Sequence, residues 1–186
     1  ALYRRMLPEL DLVLWVIKAD DRALSVDEQF WFGVMQPYQQ QVLFVLNQAD
    51  KIEPCHEWDT RTGTPSPQQQ VNLKVKQAAI SAMFSPHHPV CVVSALTGWG
   101  VEEMVATMMH CLPDRATSPV ATQLHRRLCT EPVKSQARDS FGEAVGRVFD
   151  TAESSSFLPA PLKTAIRTVR DAVVSVARAV WDWIFF

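Results

Sequence analysis

Between residues 42 and 50 the chain runs Val42-Leu43-Phe44-Val45-Leu46 and then turns polar at Asn47-Gln48-Ala49-Asp50. A short apolar run rich in β-formers, with no polar interruption, is the pattern of a strand buried on both faces in a parallel sheet. In open α/β sheets, ligands bind beyond the carboxyl ends of such strands. An Asn and an Asp spaced i, i+3 at that place suit a simple turn, and they also suit recognition of a base. Guanine offers two adjacent donors, N1–H and the 2-amino group, and one ionised carboxylate accepts both. Adenine has an acceptor at N1 and no 2-amino group, so it leaves that carboxylate unpaired. A buried unpaired group costs roughly 1–3 kcal/mol, more when charged, and discrimination of this kind rests on that penalty.

A second short apolar run, Val90-Cys91-Val92-Val93, ends at Ser94-Ala95-Leu96-Thr97-Gly98, with Gly98 and Gly100 leading into a helical pattern. Asn47-Gln48-Ala49-Asp50 resembles the NKxD guanine motif of small P-loop GTPases, and Ser94-Ala95-Leu96 resembles the SA(K/L) motif that follows it there. Residues 1–113 are similar to Era/TrmE-like bacterial GTPases, and the tail beyond residue 113 is closer still to the YfjP/YeeP-type GTPases. The resemblance implies guanine-binding roles for Asn47, Gln48, Asp50, Ser94, Ala95 and Leu96. Asp50 would bind the base and Asn47 would brace the loop and touch the base edge. Ser94 would brace the loop, and the Ala95 amide would donate to guanine O6. Gln48 stands where the family has a Lys whose stem stacks on the base. The implied ligand is GTP or GDP, with Mg2+ in a complete relative.

The family's phosphate-binding half is not expected in this chain. A P-loop needs G-x-x-x-x-G-K-[ST], whose backbone amides and Lys cradle the phosphates, and none of the six glycines begins that pattern. No D-x-x-G switch motif is expected in the chain either. The chain opens at Ala1 on a helix-like stretch, so the resemblance implies the C-terminal portion of a GTPase, a fragment or a decayed gene product, inactive as an enzyme alone. The expected fold is therefore α/β: a partial doubly wound parallel sheet over residues 1–113, lacking its first half, then a helical region over 114–186. The rival expectation is a non-catalytic helical interaction or membrane-peripheral module.

Hydrophobic residues make up 47% of the chain and charged residues 20%, the balance of a globular protein rather than a disordered one. A net charge of −2 gives no signal for nucleic-acid binding. Four cysteines without C-x-x-C spacing read as buried free thiols in a reducing cytoplasm. Neither a signal peptide nor an uncharged run of membrane-spanning length is present in these residues.

Leu12-Val13-Leu14-Trp15-Val16-Ile17 reads as a strand, and Ser25 as the cap of a helix running to Gln36. Residues 54–67 read as a long surface loop. Ser66-Pro67 opens a helix whose expected apolar face is Val71, Val75, Ala78, Ala79 and Ala82. In the next helix Val101, Met104, Val105 and Met108 are expected to face the sheet. Helices are expected at 118–130 and 133–150, then a break at Ser154-Ser155-Ser156, then a last helix opening at Pro159 or Pro161. Its stripe is Leu162, Ile166, Val169, Val173, Val176, Val180 and Ile184, with Trp181, Trp183, Phe185 and Phe186 at its end. The helix over 159–186 is expected to pack within the chain, on a protein partner or on a membrane surface. His87-His88 and Cys55-His56 lack a second ligand pair at zinc spacing and read as surface loop residues. Gly142 and Gly146 read as a site of close helix packing. The sheet edge at 12–17 is expected to lack its family partner and to promote self-association.

Overall fold

The computed structural model describes residues 2–21, 24–124, 127–153 and 160–185, without the side chains of a few terminal helical positions. The chain divides into two compact units, Ala1–Cys111 and Leu112–Phe186. The fold is α/β: a three-stranded parallel sheet followed by a helical region.

The sheet pairs three short apolar segments as extended chain, and only the central one is buried along its length. Strands β1 (Val13–Lys18), β2 (Val42–Asn47) and β3 (Cys91–Val92) lie in the order β1-β2-β3. The register runs from Val13 opposite Val42 to Lys18 opposite Asn47, and sets Val45 opposite Cys91. The central strand β2 is buried from Val42 to Leu46, as a strand covered on both faces must be. Its side chains alternate. Val42, Phe44 and Leu46 enter one core with Trp31, Ile80 and Phe84, while Leu43 and Val45 enter a second with Val93. Aromatic rings fill the first core: Phe44 stacks between Trp15 at 5.6 Å and Phe84 at 5.1 Å, and Trp31 meets Phe44 edge-on at 5.0 Å. The second core is closed by α4 (Val101–Cys111), whose Val101, Met104 and Met108 pack on it and whose Val105 and Met109 are buried.

The connections depart from the sequence expectation in three places. Helix α2 (Ser25–Phe30) starts after Leu24, and Ser25 is its first residue rather than a side-chain cap; a π-helical turn, Trp31–Met35, and a 3-10 segment, Gln36–Gln41, carry the chain on to β2. Helix α3 (Pro67–Phe84) opens at Ser66-Pro67 as expected, on a capping box that Gln69 completes, but its buried face is another one. Leu73, Ile80 and Phe84 are buried, whereas Val71 and Val75 are exposed. The expected stripe was displaced because two of the inward positions are glutamines. Gln69 donates to Ile52 O at 3.0 Å and Gln77 to Val90 O at 2.6 Å, so polar side chains hold flanking loops from the inner side of the helix.

In the second unit α5 (Asp114–Gln123) begins four residues earlier than expected and holds Pro119 internally. It is followed by α6 (Glu131–Glu153) and α7 (Ala160–Phe185). A Cβ on Gly142 would lie 2.9 Å from Arg178 Cγ, and one on Gly146 would lie 2.9 Å from Val174 Cγ2. The two glycines thus let α6 and α7 approach closely, as read. Asp139-Ser140-Phe141-Gly142 spells D-x-x-G but lies inside α6, so it is helix and not a switch loop. The stripe expected on α7 faces inward only in part: Ile166 and Val173 are half-buried, Val169, Val176 and Val180 are exposed, and the buried positions are Val174 and Trp181. Ser154–Ser156, Pro159, Phe186 and the side chains of Leu162, Trp183, Ile184 and Phe185 lie outside the described residues. Among the described residues no helix is long and apolar enough to cross a membrane.

Candidate functional site

The residues expected to read a base meet at the carboxyl ends of β2 and β3. Asn47 is the last residue of β2, and the chain leaves it through Gln48 in the left-handed region, φ 61° and ψ 40°. A non-glycine residue there costs of order 1 kcal/mol or more and persists only where the surroundings hold it. Here the Asn47 side chain does so: its Oδ1 accepts the Gln48 N–H at 2.7 Å. The same oxygen accepts the Ala95 N–H at 3.1 Å, which ties the β2 loop to the β3 loop. Ala49 is buried and donates its N–H to Val93 O at 3.0 Å. Asp50 follows in a single 3-10 turn, half-buried.

From the β3 side, buried Ser94 donates its hydroxyl to Asp50 Oδ1 at 2.7 Å. That Oγ also accepts the Thr97 N–H at 3.3 Å, so one side chain fixes its own turn and the carboxylate opposite. The turn closes through Gly98 N–H to Ser94 O at 2.9 Å and Ser94 N–H to Trp99 O at 2.9 Å. Gly100 makes this closure possible. It sits at φ +72°, and a Cβ there would be 2.3 Å from Val92 O. Ala95 and Leu96 are exposed at the tip, Leu96 at 83%.

The structure therefore brings Asn47, Asp50, Ser94 and Ala95 into one bonded constellation, with Gln48 and Leu96 on its two loops. The Ala95 N–H, expected to face a base carbonyl, is given to Asn47. The arrangement presents an acceptor-only carboxylate whose orientation is set by a buried hydroxyl, which is the chemistry needed to accept two parallel donors.

Sequence reasoning missed what supports the second loop. Residues 54–67, read as a long surface loop, include a folded buttress ahead of α3. Asp59 accepts the Arg61 and Thr62 N–H groups at 2.8 and 3.1 Å, and Asp59 bridges Thr64. The Thr62 side chain and amide, then the Arg61 amide, hold the Asp59 carboxyl below its usual range. The buttress meets the Ser94–Trp99 turn twice: the Thr97 hydroxyl reaches Gly63 O at 3.5 Å, and Trp58 stands edge-on to Trp99 at 6.0 Å. Two tryptophans flanking the two motifs were the available signal. On the other side, a cavity of about 570 Å3 lies beyond β1 and β2, lined by Asp20, Asp21, Lys51, Glu53 and Lys76 among others. Among the described residues no three His, Cys, Asp or Glu side chains are grouped to hold a metal ion.

No protein-family model and no solved structure matches the chain. Three curated proteins of Escherichia coli (strain K12) do. The chain is 58% identical to the uncharacterized protein YeeP over 184 residues, which is 99% of this chain and 78% of that protein. It is 50% identical to the uncharacterized protein YkfA and 46% identical to the uncharacterized protein YfjP, in both cases over all 186 residues. It spans 63% of the length of each of those two, less than two thirds. On the extent and level of identity with YeeP, the chain belongs to the family of these E. coli proteins.

Proposed function

We propose that the joined β2 and β3 loops are the base-reading part of a guanine-nucleotide site, of the kind found in Era-like GTPases. The observation that carries the reading is the 2.7 Å bond from Ser94 Oγ to Asp50 Oδ1. It spends one carboxylate lone pair on orientation and aims the group as a two-donor receptor. Asn47 joins the two loops, and Gln48 occupies the place where a stacking side chain would cover the base. The ligand in this reading is GTP or GDP. Phosphate and Mg2+ contacts provide positioning and charge stabilisation in P-loop enzymes, and this sequence holds no G-x-x-x-x-G-K-[ST] to supply them. Nucleotide hydrolysis is accordingly assigned to longer members of the family, and base selection to these residues.

The test separates the base from its phosphates. A base held without phosphate contacts binds on the order of millimolar, about −4 kcal/mol, so guanosine titrated against the isotopically labelled chain is the suitable probe. Guanosine should shift the amide signals of Gln48, Asp50, Ala95 and Leu96, adenosine should not, and Asp50→Ala should abolish the response. Asp50→Asn replaces an acceptor by an amide that also donates, and should move preference from guanosine to xanthosine, which has a carbonyl in place of the amino group. Equal shifts with guanosine and adenosine, or none with either, would rule out the base-reading role.

A second reading, a helical interaction or membrane-peripheral module, has its own observation. Val169, Val176 and Val180 are 51%, 62% and 43% exposed on α7. That face offers apolar contact area to a partner helix or a lipid surface independently of any nucleotide.

A further inference from the structure

Residues 58–64 lie between the two loops of the base site in sequence and belong to neither. They fold as a tight hairpin of their own. Asp59 N–H donates to Thr64 O at 3.0 Å, and Gly63 N–H donates to Asp59 O at 2.7 Å. The Asp59 carboxylate accepts the Arg61 and Thr62 amides within that hairpin, as Asp side chains do in turns. Both ends are tied down. Trp58 is buried in the aromatic core. Just past the hairpin, Ser66 caps α3 and donates its hydroxyl back to Glu57 at 2.8 Å. A hairpin anchored at both ends can hold in place what it touches.

What it touches is Thr97. The Gly63 backbone, at φ +68°, lies against that side chain: a Cβ on Gly63 would stand 3.5 Å from Thr97 Cβ, and Gly63 O accepts the Thr97 hydroxyl at 3.5 Å. Trp58 adds its edge-on contact to Trp99 at the far end of the same turn. Thr97 in turn governs Ser94, because its N–H donates to Ser94 Oγ at 3.3 Å. A hydroxyl that accepts from that amide turns its own proton away from it, and the Ser94 proton goes to Asp50 Oδ1 at 2.7 Å. One line of bonds thus runs from Gly63 through Thr97 and Ser94 to the carboxylate. We propose that residues 58–64 are a positioning element of the base site, holding Thr97 so that Ser94 aims Asp50. The inference rests on the guanine reading and adds residues that need not touch the base. Asp50 takes two parallel donors only in the right orientation, so loosening the hairpin weakens guanine binding while every base-contacting residue remains.

Asp59 is the place to loosen it, since its side chain is exposed and its bonds to Arg61 and Thr62 lie inside the hairpin. The experiment titrates guanosine against the isotopically labelled 186-residue chain and follows the Gln48, Ala95 and Leu96 amides. Asp59→Ala removes the acceptor of the two hairpin amides and should raise the guanosine dissociation constant about twofold to tenfold, the range set by one neutral hydrogen bond. Asp59→Asn keeps an acceptor there and should bind as wild type does. Thr97→Val keeps the shape and loses the hydroxyl, and should weaken binding likewise, whereas Thr97→Ser should not. In both weakened chains the Thr97 and Gly98 amides should exchange about threefold faster or more, while Leu43 and Val45 in β2 keep their rates because the sheet is intact. A wild-type chain that ignores guanosine would overturn the base reading and this inference with it. A wild-type response that survives Asp59→Ala and Thr97→Val at full strength would overturn this inference alone. So would a loss as large in Asp59→Asn as in Asp59→Ala, since a charge and not the hairpin would then be responsible.

Discussion

Asp50 and Ser94 are forty-four residues apart and meet at 2.7 Å, so the carboxylate's direction is set by a side chain that no local pattern around Asp50 contains. The same dependence on distant neighbours governs the cysteines. Burial, with Cys91 nearby adding to it, pushes the Cys111 thiol up to about 11 from an ordinary value of 9. Burial also raises Cys91, while Cys55 is exposed. The thiolate is the reactive form, so iodoacetamide near pH 9 should modify Cys55 in the native chain and spare Cys111 until the chain is unfolded. Mass spectrometry of labelled peptides reads this directly, and equal labelling rates at the two sites would contradict it. The sign of the linkage follows. Between pH 9 and 11 the unfolded chain loses the Cys111 proton and the native chain keeps it, so native stability falls as pH rises through that window. Below pH 9 both states hold the proton and this group contributes no pH dependence.

At the scale of elements, α3 shows how the face of a helix can be misread. Its start was legible because Ser66 and Pro67 are adjacent in sequence, although the capping box that Gln69 completes was not read. Its face was not, because Gln69 and Gln77 bond loop carbonyls at Ile52 and Val90 that are neighbours only in the folded chain. The consequence is measurable by denaturant unfolding. Leu73→Ala should cost about 2–5 kcal/mol, the usual range for deleting a buried leucine, while Val71→Ala should stay within about 0.5 kcal/mol, as exposed substitutions do. The reverse order would restore the face expected from sequence. Helix α7 was misread for a related reason: its inner side carries Arg170 and Arg178, which are matched by α6. Arg170 Nε lies 2.9 Å from Asp150, and Arg178 Nε lies 3.2 Å from Asp139. Glu143 meets both guanidinium groups, at 3.2 and 3.3 Å. A hydrophobic stripe identifies an inner face only when the partner is apolar too. Strand β2 was legible because burial on both faces leaves no room for such exchange, and it reads as apolar at every buried position.

For the whole molecule, the division into units at Cys111 and Leu112 raises the question of whether they unfold as one. The first rests on the aromatic core around Phe44 and on the joined β2 and β3 loops. The second rests on the α6–α7 contact, with Trp181 buried and its indole N–H bonded to Ser118. Gly146 is a point of close approach within that second set. A Cβ there already meets Val174 at 2.9 Å and the Arg170 guanidinium at 3.3–3.4 Å. A leucine must therefore push α7 away, which separates Arg170 and Arg178 from Glu143 as well as opening the packing. Overpacking of this kind costs typically about 1–3 kcal/mol, and the shared carboxylate couples the losses. Hydrogen exchange followed by peptide distinguishes the two outcomes, because cooperative units open separately when their free energies differ. In Gly146→Leu, peptides from 131–150 and 163–182 should exchange faster by tenfold or more, while peptides covering 42–47 and 91–93 keep their wild-type rates. Equal acceleration in all four regions would mean that the chain opens as a single cooperative body, with the sheet and the helical unit stabilising one another.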